Sequence, residues 1–231
     1  GNLSKYKENK ILLTIGDWSS YDVLKNDYPQ RLDNMIGKII SINKTTKKAN
    51  ILSLGHRNSQ GLFYDKTNDV IYSTDHGPQG GDEINIDLTP DQNNPKNFGW
   101  AISSYGEHYG HPKKWKLEEK YKIAPLNKSH KKYGFIEPLK YFTPSIGITQ
   151  IVKTENLQNK KVIYVGSMGW DLDENDLSIH KLILNNDLII EEYEIIPIIE
   201  RIRDLIYLQK KNKILMYLET SGSIAILERV L

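Results

Sequence analysis

The chain has 231 residues, 39% hydrophobic and 26% charged, with a formal net charge of only +2. This is the balance of a soluble globular protein with enough Ile, Leu and Tyr for a core, and it argues against a nucleic-acid surface as the main business. Cysteine is absent, which excludes disulfides and thiolate metal sites, and no apolar run approaches the roughly 18 residues that span a membrane.

The chain opens at Gly1 without a methionine and with no visible signal peptide, so its natural start is expected upstream. Helix signals are nearly absent, and the apolar residues fall in blocks of strand length. Glu8-Asn9-Lys10 turns into the strand Ile11-Leu12-Leu13-Thr14-Ile15, after which Gly16-Asp17 opens a loop. Residues 37–43 and 49–52 form a hairpin around a charged turn. Thr67-Asn68-Asp69 precedes the β-branched strand Val70-Ile71-Tyr72-Ser73-Thr74. Residues 90–132, polar and marked by Pro, His and Trp, read as a long loop decorating one face. Gln158-Asn159-Lys160-Lys161 leads into Val162-Ile163-Tyr164-Val165, and residues 179–184 and 188–190 form another hairpin. Lys211-Asn212-Lys213 leads into Ile214-Leu215-Met216-Tyr217-Leu218. Turn, strand and polar loop thus recur four times, the pattern of small sheets repeated radially. The sequence predicts an all-β fold, a β-propeller first and a β-sandwich second. Glycosylation-type triplets at Asn2, Asn43 and Asn127 are chance matches in an Asn- and Lys-rich chain.

One stretch stands apart. Gly55-His56-Arg57-Asn58-Ser59-Gln60-Gly61 and Asp75-His76-Gly77-Pro78-Gln79-Gly80-Gly81-Asp82-Glu83 lie on either side of the strand 70–74. Polar loops hinged on glycine at the ends of a rigid strand suit a site. The same residues also build ordinary hairpin turns, so both possibilities stand at this point.

Residues 54–62, LGHRNSQGL, resemble the GHRNPQGL signature of soluble pyrroloquinoline quinone (PQQ)-dependent sugar dehydrogenases, a group that includes glucose and sorbosone dehydrogenases. Residues 75–85 are similar to that family's EHGPxGGDEIN, and Asn97-Phe98-Gly99-Trp100 to its NYGW. Thr14-Ile15-Gly16-Asp17, Ile36-Gly37-Lys38-Ile39 and Arg201-Ile202-Arg203-Asp204 resemble its TIGD, MGKVLRI and RxRD segments. The resemblance implies a six-bladed β-propeller of which residues 1–231 supply roughly the last four blades. It places the general-base histidine three positions before Gly1, so that the chain by itself lacks the base.

It also implies the chemistry: an aldose or related sugar is oxidised by hydride transfer to PQQ held by Ca²⁺, and the electrons go to an external acceptor. Asp17 matches the residue that supports the base histidine. Arg57 matches the arginine at the reactive quinone carbonyl, with Asn58 as a second donor and His76 beside the cofactor. Gly77 and Pro78 match the carbonyls that bind the calcium ion under the quinone. Glu83, with the main chain of Phe98, resembles a second, structural calcium site, and Asp82 supports either. Arg201 and Arg203, alternating along a strand, match the cations that meet the quinone carboxylates. Gln60 is expected to brace its loop and His56 to be a packed, hydrogen-bonded histidine rather than the base.

Three departures stand out. The family carries a Lys or Arg where this chain has Gly166-Ser167-Met168-Gly169-Trp170, a cofactor-contacting Thr where it has Tyr141, and fewer residues where it inserts 91–96. Trp100, Tyr105, Tyr109 and Trp115 are candidates for stacking on sugar rings or for loop packing. The alternatives are a propeller without quinone that binds carbohydrate or protein, and, less well matched, a calcium-dependent hydrolase. By resemblance the protein is placed in the periplasm or outside the cell. No nucleic-acid partner is implied, and oligomeric state is not readable.

Overall fold

In the computed structural model the described residues are 1–18, 27–91, 93–106, 129–154, 160–171 and 173–228. They form sixteen strands and three single-turn 3-10 segments, with no α-helix among the described residues. Among the described residues no helix is long and apolar enough to cross a membrane. The chain divides into two units, Gly1–Ser145 and Ile146–Leu231.

In the first unit, β1 (Leu3–Tyr6), β2 (Lys10–Ile15), β3 (Lys38–Asn43) and β4 (Ala49–Leu54) make an antiparallel meander, and β8 (Lys96–Asn97) adds in parallel to β4. A second sheet joins β5 (Ser59–Asp65), β6 (Val70–Asp75), β7 (Asp82–Asp87) and β9 (Lys140–Phe142), antiparallel throughout. Local chemistry sets the turns. Asn43 Oδ1 accepts the amides of Thr45 and Thr46, which closes the β3–β4 hairpin. Asp65 does the same for β5–β6 through the Thr67 amide and Asn68 Nδ2, and Asp69 takes the left-handed φ of 53° that lets the chain re-enter β6.

Between these sheets Tyr6, Leu12, Ile39 and Leu52 meet Leu62 and Ile71, with the Tyr6 ring edge-on to Tyr64 at 4.7 Å. β6 is buried along its whole length. Burying each such apolar side chain contributes about 1.5–3 kcal/mol, against about 1 kcal/mol net for one loop hydrogen bond. The sheets therefore set the frame, and the loops at the ends of β4 and β6 ride on it.

In the second unit β10 (Ile148–Lys153), β11 (Lys161–Ser167), β12 (Ser178–Leu184) and β13 (Ile190–Pro197) form one antiparallel sheet, and β14 (Ile202–Leu208), β15 (Lys213–Leu218) and β16 (Ser223–Glu228) another. Val152, Tyr164, Ile179 and Ile183 of the first pack with Ile202, Leu205, Ile214 and Met216 of the second.

Four meandering sheets answer the fourfold repeat in the sequence. Two expectations change. Part of the segment 90–132 is internal rather than decorative: β8 joins a sheet, and Phe98, Trp100, Ala101, Ser103 and Ser104 are buried. The second hairpin strand expected at 188–190 instead begins at Ile190 and runs through Glu191, Glu192, Tyr193 and Glu194, charged because β13 is a sheet edge exposed along its centre.

Candidate active site

Arg57 sits between two loops, where β4 hands over to β5 and where β6 hands over to β7. Its Nη1 donates to the carbonyls of His76 at 3.0 Å and Gly77 at 2.6 Å. Its guanidinium lies 5.6 Å from the Trp100 ring centroid, a cation–π distance. Both neighbours of Arg57 are tethered to one carboxylate, Asn58 through its amide and His56 through its imidazole. Asp75 Oδ1 accepts the Asn58 amide at 2.5 Å, and its Oδ2 meets Ser59 Oγ and His56 Nδ1, each at 3.1 Å. His56 Nε2 pairs with Ser53 Oγ at 2.8 Å, and Phe98 stacks on the imidazole at 4.9 Å. His56 has no exposed surface, so it is the packed histidine expected. Gln60 Nε2 donates to Asn58 Oδ1 at 2.8 Å, the brace expected of it.

The second loop is equally fixed. Asp82 Oδ1 accepts the Gly77 amide at 3.0 Å and Ser145 Oγ at 2.9 Å, and lies 3.7 Å from His76 Nδ1. A Cβ on Gly77 would fall 2.1 Å from the Gly80 carbonyl oxygen, so only glycine lets the loop close on itself. Asp17 is buried; its amide donates to the Arg57 carbonyl at 2.7 Å, and its Oδ2 accepts Trp100 Nε1 at 2.5 Å. Asp17 thus orients the indole that lies against Arg57.

Behind the loops, Glu83 Oε1 is 3.3 Å from His130 Nε2, and Asn85 Nδ2 donates to Glu83 Oε2 at 3.2 Å. Burial works against a charge on His130, but the Glu83 carboxylate beside it prevails and lifts its pKa. The imidazole stacks on Tyr105 at 5.1 Å, and Tyr105 on Tyr141 at 3.9 Å. Tyr105 is therefore covered on both faces and Trp100 is 6% exposed, so neither offers a ring to a sugar. Tyr109 and Trp115 lie outside the described residues. Arg57, Gly77, Pro78, Glu83, Phe98 and His130 help to wall a small, half-open cleft of about 20 Å³.

In the second unit Arg201 precedes β14, and a bulge between Ile202 and Asp204 lets Arg203 share its partner. Arg201 Nε donates to Glu219 Oε2 at 2.8 Å, and Arg203 Nη2 to Glu219 Oε1. Hydrogen bonds from Arg203 and Arg201 hold the Glu219 carboxyl below its ordinary pKa. The alternating pair expected to meet quinone carboxylates is thus paired with a carboxylate of its own.

Comparison with known proteins turns this geometry into an assignment. The model of the family "Glucose / Sorbosone dehydrogenase" matches residues 1–227. The chain belongs to the glucose/sorbosone dehydrogenase family. An uncharacterised protein of Synechocystis sp. is 29% identical over 220 residues, 86% of this chain and 48% of its own length. A crystal structure of a glucose dehydrogenase superposes with a TM-score of 0.74 at 21% identity, covering all of this chain and 64% of that one. The PQQ-bound aldose sugar dehydrogenase of Streptomyces coelicolor superposes at 0.61 with 15% identity, covering 94% of this chain and 57% of that one. These structural likenesses show the fold, and the chain spans about half to two thirds of the relatives it matches.

Within this glucose/sorbosone dehydrogenase scaffold, Arg57, Asn58, His76 and Gly77 come together through direct hydrogen bonds, Asp17 joins them through Trp100, and Pro78, Glu83 and Phe98 line the same cleft. Asp75, His130 and Glu219 are the residues that motif reading passed over, because their partners are fixed by strand pairing and by chain segments distant in sequence. No group of three or more His, Cys, Asp or Glu side chains among the described residues is placed for a metal. Calcium accepts main-chain carbonyls as well as carboxylates. The Gly77 carbonyl keeps a second lone pair beyond its bond to Arg57, so these oxygen donors fit that ion, and the nearly buried Arg57 cation fits an anionic planar cofactor.

Proposed function

We propose that the whole protein oxidises an aldose or related sugar, with PQQ and calcium as cofactors and an external electron acceptor. The observation that carries this is Arg57, its neighbours His56 and Asn58 both tethered by Asp75 and its guanidinium set on the His76–Gly77 carbonyls. When bound, the quinone supplies the hydride acceptor and the calcium ion an electrophilic pull on it. Arg57, Asn58 and His76 are the residues proposed to hold the quinone. A guanidinium fixed in advance stabilises negative charge as it develops, with no reorganisation at the moment of reaction. Gly77 and Pro78 would hold the ion, and Glu83 with the Phe98 main chain a second, structural one. Asp17, which already orients Trp100, is proposed to orient the base histidine. Arg201 and Arg203 are further cations for the quinone carboxylates, but Glu219 already offsets part of their charge, so theirs is the smaller contribution.

A six-bladed propeller, of which the four sheets here are blades, and a periplasmic or extracellular setting belong to the same proposal; the supports are the meander topology and the family match. A second possibility, a propeller that binds carbohydrate without redox chemistry, is favoured by the pairing of both arginines with Glu219. The test is reconstitution of the complete reading frame with PQQ and Ca²⁺, followed by dye reduction with a panel of aldoses. Turnover that needs both additions and collapses in Arg57→Ala supports the dehydrogenase. Failure to bind PQQ leaves the non-redox propeller.

A further inference from the structure

The loop after β11 carries Gly169-Trp170 where the family resemblance expects a basic side chain. Asp176, nearly buried, clamps this loop. Its Oδ2 accepts the Trp170 amide at 2.9 Å, its Oδ1 the Asp171 amide at 2.7 Å, and its carbonyl the Gly169 amide at 2.8 Å. A Cβ at position 169 would lie 1.8 Å from Asp176 Oδ2, so no side chain of any charge fits there. The next side chain, Trp170, is turned into water and is 84% exposed. The Arg201 guanidinium braces its ring at 4.2 Å, and Arg201 is itself anchored on the Met168 and Gly169 carbonyls and on Glu219. A large apolar ring, rigid through both its backbone and a cation, loses little freedom when something covers its open side.

We propose that Trp170 is a stacking platform for the ring of a neutral saccharide. This rests on the sugar-dehydrogenase proposal and names a saccharide contact within the second unit. The charges decide for a neutral ligand. Arg201 and Arg203 share the Glu219 carboxylate, and Asp171, the next residue after Trp170, is exposed and brings a second carboxylate, one oxygen of which accepts the Asp173 amide. With Asp176 in the loop itself and Asp173 and Glu174 exposed just beyond it, the carboxylates outnumber the two cations, so donors and acceptors are present without a net positive field. That suits hydroxyl groups, whereas a tricarboxylate needs a net positive field. The apolar C–H face of a pyranose covers the indole, and Asp171 and Arg203 are the polar groups at hand for its hydroxyls.

The experiment is calorimetric titration of the apoprotein, without quinone or calcium, with glucose, maltose and cellobiose, alongside saturation-transfer NMR. Saturable binding is expected in the wild type. It weakens about tenfold or more in Trp170→Ala and is largely kept in Trp170→Tyr, with thermal unfolding unchanged in both because the ring is exposed. Undiminished binding in Trp170→Ala, or none in the wild type at millimolar sugar, overturns the platform. So does a loss of PQQ binding, rather than sugar binding, in Trp170→Ala. Because no quinone is present, sugar binding that survives when dye reduction fails removes only the dehydrogenase proposal. Quinone-dependent turnover that is indifferent to Trp170→Ala removes only the platform.

Discussion

Asp75 and His56 meet at 3.1 Å in an enclosed pair directly behind Arg57, and Ser53 closes the line on the far side of the imidazole. The Ser–His–Asp order resembles that of a nucleophilic triad, but His56 has no exposed surface, so the line can only support. Asp75→Asn puts a donor or a neutral oxygen where the carboxylate serves three partners. The expected loss is about 1–3 kcal/mol, read as a lower midpoint in denaturant with an unchanged slope.

Arg57→Lys and Arg57→Ala separate charge from shape. A lysine keeps the cation but lacks the planar guanidinium that lies over Trp100 while its Nη1 meets the His76 and Gly77 carbonyls. In the reconstituted enzyme, dye reduction is expected to fall about a hundredfold or more in the alanine variant and by an intermediate factor in the lysine variant, with similar thermal unfolding for both. Equal activity in all three forms would remove Arg57 from the chemistry.

Glycine 77 is tested by addition. Gly77→Ala sets a methyl group against the Gly80 carbonyl, and overpacking of that kind costs about 1–3 kcal/mol. Thermal unfolding registers the loss even before any cofactor is added.

Lys38 has no exposed surface, and its ammonium is spent on the carbonyls of Tyr28, Pro29 and Ile36, at 2.9, 3.0 and 2.6 Å. Burial draws its pKa down to about 8. Because the folded value lies below the unfolded one, the unfolded chain binds more protons between pH 8 and the ordinary lysine value of 10.5, so stability rises with pH across that window. Denaturant titrations at a series of pH values should show that slope in the wild type. Lys38→Met should lose it and, at neutral pH, be less stable because three carbonyls lack their donor.

The sequence made the strands legible wherever β-branched residues followed a polar turn, as at 11–15, 70–74 and 214–218. It hid β13, because an edge strand keeps its charges, and β8, whose two residues are too few to show a period. The motif residues around Arg57 were legible because they are contiguous. Asp75 was not, since only the β5–β6 register brings it under both flanks of Arg57. His130 was hidden for the same reason: 47 positions separate it from Glu83, and no spacing rule connects two loops that far apart. The Glu219 partnership of the two arginines depends on the β14–β15 pairing together with a bulge, which a two-residue alternation does not encode.

Trp100 is enclosed, its N–H bound to Asp17 and its ring 5.6 Å from the Arg57 cation. Trp18 and Trp170, by contrast, are 86% and 84% exposed. Any ligand that draws Arg57 away changes the electric field on Trp100, the sheltered indole among the described residues. The protein therefore carries a built-in optical gauge of its own site, one that reports arrival in the dark of any turnover and needs neither dye nor label.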